Sequence, residues 1–187
     1  MEKKADPNQQ NKEGNTPFHI IAMNLKFEME MLKMFLEFDA DASITNKYGD
    51  TPFQFLLLNE NVNKEMLELL IDKIKEINKQ DQKGWTILHW ATKNTNISLN
   101  VLKLFLEKGC NPNLVNNDQE SPFFFLCQSR KRDCVDKLKL FLHYKADPSL
   151  LNIDNKSAKQ VASDYFNTDV VEALTLLEEN PSKFWEN

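Results

Sequence analysis

The stretch Gly84-Trp85-Thr86-Ile87-Leu88-His89-Trp90-Ala91 decides the fold of this chain. A glycine that accepts positive φ ends a turn, a threonine that can cap a helix follows, and an apolar run then begins the helix. Related stretches begin at Gly14, Gly49, Gln119 and Asn155, so that the five copies follow one another in steps of 35, 35, 35 and 36 residues. A fixed period of this length indicates a repeat architecture.

A second ladder of turn residues keeps the same period. It consists of residues 5–8, 40–43, 110–113 and 146–149, with 76–78 at the third step, and it is rich in Asp, Asn and Pro. Turn chemistry of this kind, followed by glycine and a capping residue, predicts a protruding hairpin-like loop before each short helix. A second helix follows, with apolar residues at i, i+3 and i+4. Each unit is therefore predicted to be a loop followed by two helices.

This unit resembles the ankyrin repeat, whose motif Thr-Pro-Leu-His-x-Ala is nearly met by residues 16–22 and 86–91. Units two and four depart from it, with Gln54 and Phe124 at the histidine position, and the turn at 74–78 is the least typical. The resemblance covers essentially all 187 residues. It implies an all-α ankyrin-repeat solenoid of helix-turn-helix units with protruding loops, about five stacked repeats in a single domain. The units are placed at approximately 6–40, 41–75, 76–110, 111–146 and 147–187, the last with a C-terminal cap and tail.

The composition favours neither nucleic-acid nor membrane binding. The chain carries 23 Lys+Arg against 28 Asp+Glu, a formal net charge of −5, and its pI is about 5.3. Such a chain has no general attraction to phosphate backbones or anionic lipid surfaces. Its longest apolar stretches fall far below the ~20 residues of a membrane span, and its charged start leads into no apolar signal segment. We therefore predict a cytoplasmic protein with no nucleic-acid partner and no membrane contact.

The residues that carry chemistry form no catalytic or metal-binding pattern. Cys110, Cys127 and Cys134 fit neither an even disulfide set nor a CxxC metal spacing. No nucleophile elbow, phosphate-cradling glycine loop or HExxH motif is present. His19 and His89 occupy the motif position at which, in the resembling family, histidine braces the loop through hydrogen bonds. We predict no catalytic residues, no metal and no cofactor, and hence no enzyme.

Binding through a surface remains as the function. In ankyrin-like proteins the loops and first helices line up into a concave face that binds protein partners, so the resemblance implies a protein–protein interaction module, an adaptor or scaffold. Tyr48 and Trp85 are expected at loop tips, either as interface anchors or packed on a neighbouring loop. The predicted partner contacts are Tyr48, Asp50, Leu58, Asn59, Lys83, Trp85, Trp90, Asn94 and Glu120.

One apolar residue per unit follows the motif histidine position. This stripe is expected to pack between neighbouring first helices, with Trp90 partly exposed as a secondary contact. Near the end of the chain, Phe184 and Trp185 are expected to fold back over the last helix, a frayed tail being the alternative. The stripe consists of Ile20, Phe55, Trp90, Phe125 and Val161.

Two alternative functions remain open. The chain could be a regulatory or targeting segment of a larger multidomain protein. It could also bind nucleic acid or a phosphate ligand through the basic triplet Arg130-Lys131-Arg132, although a solvated turn is the simpler interpretation. The second helix of the first unit, residues 29–38, is apolar on more than one stripe. This face is expected to be either a natural start or a site of truncation, weak self-association or a further partner; otherwise the chain is monomeric.

Overall fold

The structure is a computed structural model that describes residues 5–24, 26–59 and 62–186. Regular structure in these ranges is helical, apart from one isolated β-bridge between Leu151 and Ser157. The all-α class is therefore confirmed. The chain forms two compact units, Met1–Ile77 and Asn78–Asn187. Their boundary falls in the least typical turn, residues 74–78, and the single-domain organisation stays a prediction.

Unit one contains two helix pairs. Helices α1 and α2 span Pro17–Ala22 and Met29–Glu37, and α3 and α4 span Pro52–Leu58 and Lys64–Ile71. The two first helices, α1 and α3, pack against each other. The core of the unit includes the buried side chains Phe18, Leu32, Phe53, Leu56, Leu67 and Leu70.

Unit two contains three helix pairs and one further helix. Its first helices lie side by side in the order α5, α7, α9, and its second helices in the order α6, α8, α10. With the pairs of unit one, the described residues hold five helix pairs, which agrees with the predicted number of repeats. The bounds are α5 Ile87–Lys93, α6 Leu99–Glu107, α7 Pro122–Gln128, α8 Cys134–His143, α9 Ala158–Asp164, α10 Thr168–Glu179 and α11 Pro181–Glu186.

Capping explains where the first helices begin. At α5 the Thr86 hydroxyl accepts from the backbone N–H of His89, while the His89 side chain accepts from the backbone N–H of Thr86. This reciprocal capping box recurs at α1, α3 and α9, where the residue three positions on is histidine or glutamine. In the fourth repeat Phe124 offers no acceptor, and the buried Ser121 hydroxyl has no hydrogen-bond partner. Glutamine can thus take the place of the motif histidine as the acceptor in the capping box, whereas phenylalanine cannot.

One side chain per repeat closes the hairpin loop. In the third repeat Asp81 Oδ1 accepts from the backbone N–H groups of Lys83 and Trp85, at 2.8 and 2.9 Å, and the Asp81 N–H donates to the Trp85 carbonyl. The side-chain oxygen replaces the turn's missing backbone acceptor. The same pair of bonds is made by the oxygens of Asn11, Asn46, Asn116 and Asn152.

Adjacent loops approach closely enough to require glycine. Gly84 has φ +76, and a Cβ there would lie 2.9 Å from the backbone nitrogen of Asn117 in the next loop. Gly109 has φ +89, but a Cβ there would meet no atom within 4 Å. Both glycines have positive φ, but only Gly84 is also crowded by the next loop. Comparing the two positions therefore distinguishes the cost of backbone strain from the cost of loop crowding.

We expect Gly84→Ala to lower the free energy of unfolding by about 1 kcal/mol more than Gly109→Ala. Both changes place alanine at positive φ, which costs roughly 1–2 kcal/mol, but only the first forces neighbouring backbones apart. Urea denaturation of both variants measures the difference. Equal losses would show that the loops can separate without cost.

The end of the chain packs on the second-helix row. Helix α11 contacts α10, and Phe184 is only 1% exposed, with the Lys139 ammonium 5.2 Å from its ring centroid. Trp185 is half exposed. The predicted folding-back is confirmed for Phe184, whereas Trp185 is only partly covered. No helix in the described part of the chain is long and apolar enough to cross a bilayer.

Candidate functional site

Two buried histidines fasten neighbouring loops. His89 Nε2 donates to the Glu120 carbonyl at 3.1 Å while its Nδ1 accepts from the Thr86 N–H at 3.0 Å. His19 makes the same pair of bonds, to the Asp50 carbonyl and from the Thr16 N–H. Burial lowers the pKa of His89 to about 4 and also lowers that of His19, against the opposing effect of the carbonyl acceptors. Both rings are therefore neutral braces near pH 7.

Three aromatic side chains form one cluster on the loop and first-helix face of unit two. The Trp85 ring centroid lies 4.9 Å from that of Trp90 and 4.7 Å from that of Phe125. Phe125 is buried, and the two tryptophans are partly exposed. We call Trp85, Trp90 and Phe125 the aromatic cluster. Large, partly exposed aromatic rings of this kind are typical of interface anchors.

The predicted loop-tip position of Trp85 was wrong. The backbone bond between Asp81 and Trp85 closes the hairpin, so that Trp85 lies at the end of the loop and leads into α5. Its ring packs against Phe125 of the next repeat and lies 5.9 Å from the His89 ring centroid of its own repeat. Trp85 therefore packs on α7 of the next repeat and stays partly exposed, and its role as an interface anchor stays a prediction.

Charged and polar groups border the aromatic cluster. Asp81 Oδ2 accepts from the Trp90 indole N–H at 3.2 Å. The Lys93 ammonium lies 5.4 Å from the Phe125 ring centroid, a cation–π distance. Near the Lys93 ammonium, Glu120 Oε1 accepts from the Gln128 side-chain amide at 3.3 Å.

Glu120 lies in an electrostatically unfavourable place for a carboxylate. Burial is the largest cause that raises its pKa, and the nearby charges of Asp118 and Asp154 raise it further. The nearby Asn116 side-chain amide and the charge of Lys93 act in the opposite direction. Burial and the two nearby aspartates thus disfavour the charged form of Glu120.

The remaining predicted contacts of unit two lie nearby. Lys83 is exposed in the loop that ends at Trp85, and Asn94, directly after α5, is partly exposed. The Asn94 side-chain oxygen accepts from the Asn96 N–H at 2.9 Å. Partner contact by these two residues stays a prediction.

The predicted contacts of unit one form a set of their own. Tyr48 is 70% exposed at its loop tip, and Leu58, at the end of α3, is half exposed. Asp50 is partly exposed and its carbonyl holds His19. The Asn59 amide donates to the carbonyls of Ala22 and Asn24, at 3.0 and 2.9 Å. Asn59 therefore holds the end of α1 in position. Partner contact by these four residues of unit one stays a prediction.

The basic triplet gives little support to a phosphate site. Arg130 Nε donates to the Tyr165 carbonyl at 2.8 Å, and its guanidinium lies 5.7 Å from the Phe166 ring centroid. Only Lys131 and Arg132 project without a described partner. Two adjacent exposed cations on a turn make a weak anion site.

The cysteines are packing residues. All three are buried, and burial raises the pKa of Cys110 to about 12 and also raises that of Cys127. Cys134 Sγ donates to the Ser129 carbonyl. Among the described residues, no group of three or more His, Cys, Asp or Glu side chains could hold a metal ion.

Sequence reasoning missed Asp81. The repeat period aligns it with Asn11, Asn46, Asn116 and Asn152, and it is the only charged member of that column. This single difference, beside a tryptophan pair, was the signal that could have found it.

Comparison with known proteins agrees with the resemblance. The family model described as ankyrin repeats (3 copies) matches three overlapping stretches, residues 1–81, 28–113 and 55–152. Together the matches run from residue 1 to residue 152 of the 187. No curated protein matches the chain.

Proposed function

Because the chain belongs to the ankyrin-repeat family, whose repeats generally act as protein–protein interaction modules, we propose that it is a non-catalytic adaptor that binds a protein partner. The proposed binding surface in unit two is the aromatic cluster with its bordering residues Lys83, Asn94 and Glu120. These residues are the predicted contacts of unit two, and they belong to its loops and first helices.

The aromatic cluster is the observation that carries the proposal. Trp85 and Trp90 remain partly exposed although their rings contact each other and Trp85 contacts Phe125. Held by these contacts, the rings lose little side-chain freedom on binding, and tryptophan is enriched among residues that dominate interface energies. The hydrogen bonds of His89 hold the underlying loops in place, so the surface is preformed.

We expect Trp85→Ala to weaken partner binding by about 30-fold, which corresponds to ~2 kcal/mol for a central aromatic anchor. The measurement is affinity capture from extracts of the source cell with the immobilised chain, followed by titration of the captured protein. Trp185→Ala is the matched control, because it removes a half-exposed tryptophan from α11, away from the aromatic cluster.

Thermal unfolding by circular dichroism accompanies both variants. Trp90→Ala supplies a second change, in the other partly exposed ring of the aromatic cluster, and it should also weaken binding. Undiminished capture by folded Trp85→Ala and by folded Trp90→Ala would overturn the proposed surface.

A further inference from the structure

The residue that closes the hairpin loop is charged only in the third repeat, at Asp81, and loop closure does not need this charge. Four repeats close the same hairpin with asparagine, whose side-chain oxygen makes the same two bonds to backbone N–H groups. Only the third repeat uses aspartate. Because one oxygen is sufficient for the loop, loop closure does not explain the second carboxylate oxygen of Asp81.

That second oxygen holds Trp90. Asp81 Oδ2 accepts from the Trp90 indole N–H at 3.2 Å, while Oδ1 closes the loop. An asparagine could not make both sets of bonds, since its second terminal atom is an NH₂ donor. Asp81 therefore fixes the direction of the Trp90 ring and places a negative charge beside the aromatic cluster.

The surroundings of the cluster favour a cation. Glu120 has a raised pKa, chiefly through burial, and Asp118 and Asp154 add negative charge near it. The Lys93 ammonium already lies over the Phe125 ring at 5.4 Å, so an aromatic face of this cluster accepts a positive group. Lys83 is exposed in the same loop as Asp81. Two carboxylates, those of Asp81 and Glu120, therefore border the aromatic cluster.

We propose that the aromatic cluster, together with the carboxylates of Asp81 and Glu120, binds a partner segment that presents an arginine side chain. The inference rests on the proposed function and gives the chemistry of its partner. A guanidinium is planar, so it stacks on an indole face and at the same time donates to a carboxylate. Here the Asp81 carboxylate contacts the Trp90 indole at 3.2 Å, and Glu120 lies near the Lys93 ammonium that covers the Phe125 ring.

Asp81 acts in this site as a positioning residue. It orients the Trp90 ring and contributes negative electrostatic potential. The ring faces and the Glu120 carboxylate contact the guanidinium. Asp81→Asn separates these roles from loop closure, because asparagine closes the equivalent loop in four other repeats.

The test uses three capped peptides that alternate glycine with arginine, with its neutral isostere citrulline, or with glutamate. Each is titrated into the full chain labelled with ¹⁵N, and the indole N–H signals of the three tryptophans are followed. We expect the arginine peptide to shift the signals of Trp85 and Trp90 and to bind at least about tenfold more tightly than the citrulline peptide. Trp185, on α11, is the internal reference and should not shift.

Variants connect the charge preference to the named carboxylates. Asp81→Asn should preserve the melting temperature within a few degrees, move the Trp90 indole signal in the free protein, and reduce the arginine-to-citrulline ratio at least threefold. Glu120→Gln should reduce the same ratio without moving the free Trp90 signal. Trp185→Ala should leave the ratio unchanged.

The inference is overturned if the citrulline or glutamate peptide binds as tightly as the arginine peptide, or if both carboxylate variants keep the original ratio. This failure is distinct from failure of the proposed function. A protein captured in a Trp85-dependent manner, combined with no arginine preference, would leave the protein-binding function standing and remove only the partner chemistry.

Discussion

Replacement of Leu102 by alanine is expected to lower the free energy of unfolding by about 2 to 5 kcal/mol. Leu102 is fully buried on α6, which packs against α5 in its own repeat and against α8 in the next. A truncation there loses the transfer free energy of the removed methyl groups and leaves a cavity between elements of two repeats. Urea denaturation followed by circular dichroism measures the loss.

The neighbouring residue offers the matched control. Lys103 lies on the same helix, and its half-exposed side chain pairs with Glu107 at 3.7 Å. Lys103→Ala should cost less than about 0.5 kcal/mol, as is usual for exposed ion pairs spaced i, i+4. A loss below about 0.5 kcal/mol for Leu102→Ala would mean that this helix face is not the core.

The fold could be predicted because its determinants are local and repeated. Each capping residue, such as Thr86, acts within three residues of itself, and each second helix shows its buried face by spacing alone. Repetition then turns a weak local signal into a strong one, since the same pattern recurs in register along the chain. Period and residue type were therefore sufficient for the five helix pairs, but not for α11, which lies outside the repeat pattern.

The site was less predictable because it depends on contacts between repeats. The inward turn of Trp85 is determined by Phe125, 40 residues later and one repeat further on. The role of Asn59 likewise depends on carbonyls at the end of α1, which no spacing within its own repeat reveals. Residue type gave the candidates, and only the packing of adjacent loops and helices separates exposed anchors from structural braces.

Acidification from pH 7 to pH 5 is expected to destabilise the chain by about 2 kcal/mol through His89 alone. Its folded pKa is about 4, against about 6.5 in the unfolded state. Above the unfolded pKa neither state binds the proton and stability is undiminished. As the pH falls from 6.5 towards 4, only the unfolded chain becomes protonated, so stability falls by about 1.4 kcal/mol per pH unit. Urea midpoints measured at constant ionic strength across this range report the slope.

The chain itself supplies the control variant for this titration. Gln54 occupies the equivalent position in the second repeat, where its side-chain oxygen accepts from the Thr51 N–H at 2.6 Å, as His89 Nδ1 does from Thr86. A proton on Nδ1 would set two N–H groups against each other, whereas glutamine keeps the acceptor at every pH. His89→Gln should therefore retain most of the stability at pH 7 and flatten the slope between pH 6.5 and 5. The slope that remains includes the contribution of His19, whose pKa is lowered in the same direction. An unchanged slope in the variant would show that the pKa of His89 is not lowered in the folded chain, and that the hydrogen bond to its Nδ1 is not the one described.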